Sequence, residues 1–357
     1  MIEDFLKKEK IEIDNYLEEY FNMRSNNENE VLLQDFFSQL KEFILNEKAK
    51  RLHPILVIAA FIGIVNPQYL NDQIEQIRKV SLAVEFLHSG HLIRDDLIDD
   101  DKVRRNKPTF HIQLENQLAD LYKNSTFQSN EGMLKKYGRD LSILGGAQSN
   151  LLGLDIIKQS KFPDNLKLLA INEYNSAMES LLKGQIIEEY MSHHNITMSI
   201  EQYLYIAELQ RASLLEKSAK IGAIMAKGNM HYQIQPLSEA MLRIGQAYAI
   251  RDDILDMEED VKRKAKKALY ILAVQNTDET QSRRLNEIYK KDDLTKSDVK
   301  EVVQIFGETN AIIVAEHFSK NLVAQAKNDL NDIYPDLNKE QKKFFNEFAD
   351  FIYMRDL

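Results

Sequence analysis

Apolar residues recur every three or four positions along almost the whole chain, and strand-like alternation is nowhere sustained. Phe5, Ile11, Ile13, Leu17 and Tyr20–Phe21 predict an opening amphipathic helix, closed by the polar run Asn22–Glu30. Leu32–Leu45 and Pro54–Val65 read as the next two helices, with Pro54 well placed at a helix start. The stretch NPQYLNDQ separates these from a long pattern running from about Ile74 to at least Ile98. Between Lys102 and Asn130 the periodicity fades, Pro108 interrupts it, and YKNSTFQSNEG (Tyr122–Gly132) predicts a surface loop. Helical patterns resume over Leu134–Lys158, Asn165–Met191, Ile200–Lys227 and Pro236–Glu258, and two or three more fill Lys266–Met354. No repeat of roughly 20–50 residues is visible. The expected fold is all-α, one large bundle of roughly ten or more helices, with residues 1–357 forming a single domain.

Composition supports this reading. Only 12 glycines and 6 prolines interrupt the chain, no Gly/Ser/Pro-rich linker divides it, and 44% of the residues are hydrophobic. A net charge of −10 weighs against a nucleic-acid partner but leaves room for a local basic pocket. Without cysteine there is no thiolate ligand or nucleophile and no disulfide framework. The opening MIEDFLKKEK lacks a basic-then-apolar signal pattern, and no apolar run approaches the length of a membrane span, so a soluble cytoplasmic protein is expected.

The charges themselves are unevenly placed. IRDDLIDD (Ile93–Asp100) and IRDDILD (Ile250–Asp256) repeat one tetrapeptide, each followed by a further aspartate. Helical spacing of four puts Asp95 with Asp99, and Asp252 with Asp256, on a shared face, with Asp96 and Asp253 beside them. Such clustering is unfavourable unless a hard cation reverses it. Mg²⁺ suits the arrangement, since it takes few protein carboxylates and completes its octahedron with water and phosphate oxygens. One acidic run alone is more often a solvated helix face. Two copies flanked by apolar residues (Leu92–Ile93 and Ala247–Ile250) point instead to cavity walls. Cations gather nearby: Arg104, Arg105 and Lys107 after the first cluster, and Lys50, Arg51 and His53 upstream. Arginine forks match phosphate oxygens, so the set suggests a pocket for two anionic groups.

EFLHSGHLIRDDLIDDDKVRRNKPT (Glu85–Thr109) resembles the first aspartate-rich region of the trans-isoprenyl diphosphate synthases, DDxxD followed by RRxxPT. GQAYAIRDDILD (Gly245–Asp256) is similar to their second such motif, KRLHP to their GKRxRP and KGQIIEE (Lys183–Glu189) to their GQxxD. The resemblance implies an isoprenoid-synthase helical fold around a central cavity and Mg²⁺-assisted condensation of isopentenyl diphosphate with an allylic diphosphate. Asp95, Asp99, Asp252 and Asp256 would hold about two to three Mg²⁺ ions (Mn²⁺ a candidate substitute) on the allylic diphosphate. Asp96 and Asp253 would support them, and Arg104, Lys183 and Arg211 would touch the same diphosphate. Lys50, Arg51, His88 and Arg105 would hold that of isopentenyl diphosphate. Homodimers are common in the family, so a second copy of this chain is an expected partner.

The chain departs from the family pattern at several points. Lys48 and Ala49 replace two glycines, His53 an arginine, Arg211-Ala212 a Lys-Thr pair and Tyr248-Ala249 a Phe-Gln pair. Arg94 takes the place of a histidine, and Arg251 mirrors it. The Gly-Lys after the second motif is reduced to MEEDVKRKAKKA, leaving Lys264 and Lys266 as candidate replacements. In the family the product grows beside the first DDxxD helix. Gly90, where short-chain enzymes tend to carry an aromatic ring, would leave room for it, with Leu87 and His91 as further limits. A product of twenty carbons or more is expected. The alternatives are a class I terpene cyclase, a non-catalytic subunit of a heteromeric synthase, and a di-iron carboxylate bundle suggested by Glu85-x-x-His88.

Overall fold

A computed structural model describes residues 2–123, 130–194 and 196–354. The described residues are helical apart from short connections and one two-stranded hairpin, as the periodicity predicts. Two compact units divide the chain: residues 1–175 with 221–227, and residues 176–220 with 228–357.

The first unit opens with α1 (Ile2–Asn27), which ends within the polar stretch Asn22–Glu30 and buries Ile13, Leu17 and Phe21. α2 (Val31–Ile44) and α3 (Leu52–Ile64) follow. α4 (Pro67–Ile98) begins earlier than its apolar pattern, because Asn66 caps the Gln68 N–H and Pro67 takes the first turn. What reads as a polar separator is therefore a helix start. After α4, β1 (Val103–Arg104) pairs with β2 (Lys107–Pro108). Strands this short carry no periodic signal. α5 (Phe110–Tyr122) and α6 (Glu131–Gln159) complete the set, together with the start of α7 (Asp164–His193). Of the expected loop at Tyr122–Gly132, residues 124–129 lie outside the described residues.

α4 and α6 pack through bare backbone. A Cβ on Gly90 would lie 2.5 Å from Asn150 Oδ1 and 2.7 Å from the Gly146 carbonyl; one on Gly153 would lie 2.6 Å from the Ala83 carbonyl. Small residues one heptad apart on each helix, Ala83 and Gly90 against Gly146 and Gly153, thus form a close seam. Residues 221–227 return to this unit, where a Cβ on Gly222 would meet the Val57 carbonyl at 2.0 Å.

In the second unit the pattern Ile200–Lys227 breaks into α8 (Ile200–Ala207) and one wider π-helical turn at Glu208–Ala212, followed by α9 (Ser213–Met225), whose residues from 221 on belong to the first unit. Another π turn at Met230–Ile234 leads into α10 (Gln235–Leu255) and the short α11 (Met257–Lys262). α12 (Ala268–Val274), α13 (Glu279–Tyr289), α14 (Lys296–Glu308), α15 (Ala311–Asn331) and α16 (Lys339–Tyr353) follow. These outnumber the two or three expected because capping boxes at Asp278/Gln281 and Thr295/Asp298 start new helices inside continuous polar-apolar patterning. Ile250, Ile254, Leu269, Leu272, Val302 and Phe306 belong to its core.

Candidate active site

Each unit ends a long helix at its aspartate triplet. In the first, Asp99 caps α4 and donates its N–H to the Asp95 carbonyl at 2.9 Å, with no basic side chain in the last turn. The carboxylates therefore sit at the negative end of the helix dipole, which adds to their mutual repulsion. Asp96 is fully buried, Asp95 half-buried and Asp99 exposed. The middle aspartate is thus the core of the triplet and not a side partner. Arg104 on β1 donates to Asp96 Oδ1 and reaches Asp95 Oδ2 at 3.5 Å. Asp96 Oδ2 is buried without a hydrogen-bond partner. Burial pushes this carboxyl up to about 6, with Arg104 pulling the other way.

The second unit repeats the design. Asp256 caps α10, its N–H bound to the Asp252 carbonyl at 2.8 Å. Asp252 is half-buried and Asp256 exposed, while Asp253 is only 7% exposed. Asp253 Oδ2 accepts the Ala268 N–H at 3.1 Å, and Lys267 Nζ lies 3.9 Å from Oδ1 and 2.8 Å from Asp260 Oδ1. Burial pushes Asp253 up to about 6 against the pull of Lys267. Lys267 was not among the site residues expected from sequence. Of the lysines that were, Lys264 donates to the Asp292 carbonyl at 2.9 Å and Lys266 lies 5.8 Å over the Tyr270 ring. The start of α12 at Ala268, which turns Lys267 back to the acids, leaves little trace in so basic a stretch.

Other expected residues fall in varied settings. Arg51 is buried and serves as a structural tie, donating to Asp14 Oδ1 at 2.8 Å, to the Ile44 carbonyl at 2.8 Å and to Glu85. It caps α3 in a left-handed conformation (φ 56°), whereas residues 48 and 49, where the family's glycines fall, take none. Lys50 beside it is exposed. His53 and His88 face each other with ring centroids 4.5 Å apart. Arg105 and Asn106 form the two-residue hairpin turn, both at positive φ (53° and 62°). That is type I′ geometry, in which an arginine is an uncommon choice. Arg104, Arg105 and Lys107 line a small surface pocket with Glu42, Phe43, Asn46, Pro108 and Gln113. In the second unit Lys183 is exposed and pairs with Glu179 at 2.7 Å. Arg211 lies exposed on the π turn, a local widening often found at functional sites. Ala212, at the family's threonine position, is fully buried, and a Cβ on Gly245 would come within 2.2 Å of its Cα.

The stretch before the first triplet differs from the sequence-based picture in one respect. Gly90 does not open onto space, because α6 fills the volume beside it. Leu87 is fully buried and His91 half-buried. Arg94 packs its side chain against the position of Gly146, and its Nη2 is buried without a hydrogen-bond partner. Arg251 lies 6.0 Å over the Tyr353 ring.

Among the described residues no group of three or more Asp, Glu or His side chains encloses a metal by itself. The donor set is nevertheless that of a hard cation: carboxylate oxygens only, with Asp96 Oδ2 buried and unbonded. It fits Mg²⁺, which takes one or two carboxylates per ion and fills its shell with water and phosphate. It does not fit a closed protein cage.

The polyprenyl synthetase family pattern matches residues 34–306. A short chain isoprenyl diphosphate synthase of Methanocaldococcus jannaschii is 27% identical over 318 residues, covering 86% of this chain and 85% of that one. A geranylgeranyl diphosphate synthase of Sulfolobus acidocaldarius is 23% identical over 296 residues, 81% and 78% of the two chains. In fold, the chain is similar to a geranylgeranyl pyrophosphate synthase of Corynebacterium glutamicum complexed with isoprenyl diphosphate and magnesium. The TM-score is 0.85 at 19% identity, with 100% of both chains covered. With most of its length matched by the family pattern and both aspartate triplets within the match, the chain belongs to the polyprenyl synthetase family.

Proposed function

We propose that this protein condenses isopentenyl diphosphate with an allylic diphosphate, head to tail and in the trans sense. The observation that carries the proposal is the repeated local design: a helix ended by DDxxD, its middle aspartate buried and faced by a cation from the segment that follows. We take residues 1–357 as one functional domain.

Asp95, Asp99, Asp252 and Asp256 are the residues that would hold Mg²⁺, which when bound supplies positive charge to a leaving diphosphate. Asp96 and Asp253 position them: each is buried, and each faces a cation, Arg104 in a hydrogen bond to Asp96 and Lys267 at 3.9 Å from Asp253. Arg104, Lys183, Arg211 and Lys267 neutralise the allylic diphosphate as its C–O bond breaks. Lys50, His88 and Arg105 hold the second diphosphate, and Arg51, committed to Glu85 and Asp14, fixes the backbone that presents Lys50. The alkene of isopentenyl diphosphate attacks the allylic cation, and a proton leaves to the released diphosphate. No protein nucleophile enters, in keeping with a chain that has no cysteine.

For the product we keep twenty carbons or more, which relatives named as geranylgeranyl and geranylfarnesyl diphosphate synthases support and the relative named as a short chain synthase does not. The glycine at position 90 does not support it, since α6 fills the space beside it. The test is incubation with Mg²⁺, farnesyl diphosphate and radiolabelled isopentenyl diphosphate, with chain length read by chromatography. Asp95→Ala and Asp252→Ala should each abolish labelled product. Turnover that survives both changes refutes the assignment, and a product stopping at fifteen carbons from simpler primers refutes the length.

A further inference from the structure

The His53–His88 pair is an unusual thing to build into a cationic site. Its rings lie 4.5 Å apart, one at the start of α3 and the other in α4. Glu85, the one carboxylate that bears on His53, is taken by Arg51. The remaining charged and titratable groups that face the pair are Arg105 and Arg104 from the hairpin and His91 from α4, all cationic or able to become so. No carboxylate forms an ion pair with either imidazole among the described residues. The arrangement suits neutral rings in the free protein and charged ones only when an anion arrives.

We infer that the His53–His88 pair is a proton-linked binding element for the diphosphate of isopentenyl diphosphate, taking up a proton from solvent as that diphosphate binds. This rests on the function proposed above, and within it gives His53 a role that a fixed arginine could not play. The diphosphate supplies the negative charge that the pair lacks, and the proton completes a charge-assisted hydrogen bond. Consistent with this, burial and the neighbouring Arg105 hold His53 down to about 4 in the free protein, and His88 is lowered in the same sense. Affinity for isopentenyl diphosphate then falls as pH rises, by up to about tenfold per pH unit where one proton is fully linked.

The test is calorimetric titration of isopentenyl diphosphate into the metal-free full chain near neutral pH. Two buffers of different ionisation enthalpy report the protons exchanged. The wild type should take up roughly half a proton or more per site. His53→Arg should bind with little uptake and a flattened pH profile, which also removes the ligand's own ionisation from the comparison. His88→Gln, which keeps a neutral hydrogen-bonding side chain, should likewise reduce the uptake. Binding with no net uptake by the wild type, or unchanged uptake in His53→Arg, overturns the inference and leaves the substrate assignment standing. Failure of the folded wild type to bind isopentenyl diphosphate at all overturns both.

Discussion

Replacing Asp253 with asparagine should make the metal-free protein more stable while disabling it. The side chain is 7% exposed, and its carboxyl sits at about 6 against about 3.9 for an ordinary aspartate. At about 1.4 kcal/mol per pKa unit, holding it charged at neutral pH costs the fold about 3 kcal/mol. The sign follows from the raised value: the stability is fully present below the unfolded pKa near 3.9 and is lost as pH climbs through about 6. Asparagine never ionises, can still accept the Ala268 N–H, and loses the pull that Lys267 at 3.9 Å and the Tyr203 hydroxyl exert on the charged form, both already counted in that figure. Unfolding entropy of about 2.1 cal/mol/K per residue over 357 residues gives roughly 0.75 kcal/mol/K. The gain therefore corresponds to about 4 °C. Thermal melts in EDTA should show this shift near pH 7.5 and almost none near pH 4, while condensation is lost. A variant equal to or weaker than wild type at the higher pH, or one equally stabilised at both, would refute the reasoning.

The packing of the first unit yields three more predictions. Gly90→Phe, which would simply shorten the product if an open channel lay beside it, should instead cost about 1–3 kcal/mol by overpacking the α4–α6 seam; urea denaturation alongside product analysis separates the two. Gly222→Ala, whose Cβ would meet the Val57 carbonyl at 2.0 Å, should destabilise by a similar amount, and a neutral melt would contradict the close approach. Arg51→Ala strands Glu85 in the interior and should cost about 3–5 kcal/mol. Its main effect should appear in denaturation and not as a selective rise in KM for isopentenyl diphosphate.

Much of the site was legible because its chemistry is written locally. Spacing alone singles out Asp95 with Asp99, and Asp252 with Asp256, as candidates at the ends of two helices, and Asn66-Pro67 or Thr295-x-x-Asp298 announce helix starts once read as caps. What stayed hidden depends on residues distant in sequence. The burial of Asp96 is decided by surrounding packing and by Arg104 on the hairpin. The role of Gly90 is decided by Gly146 and Asn150 on another helix, and that of Arg51 by Asp14 and Glu85. Lys267 does not stand out in sequence because Lys262, Arg263, Lys264 and Lys266 in the same short segment are equivalent to it until α12 fixes which one points back. The hairpin was missed because two residues cannot display a period.

The return of residues 221–227 to the first unit also bears on the order of events during synthesis. An N-terminal domain ordinarily folds while the rest of its chain is still being made, at about 5–20 residues per second. Here the body of residues 1–175 stays unfinished until Gly222 is available to settle against Val57. The face of α3 around Val57 must wait for a further stretch of translation before it is covered. A fragment ending at residue 175 would lack the segment that covers Val57.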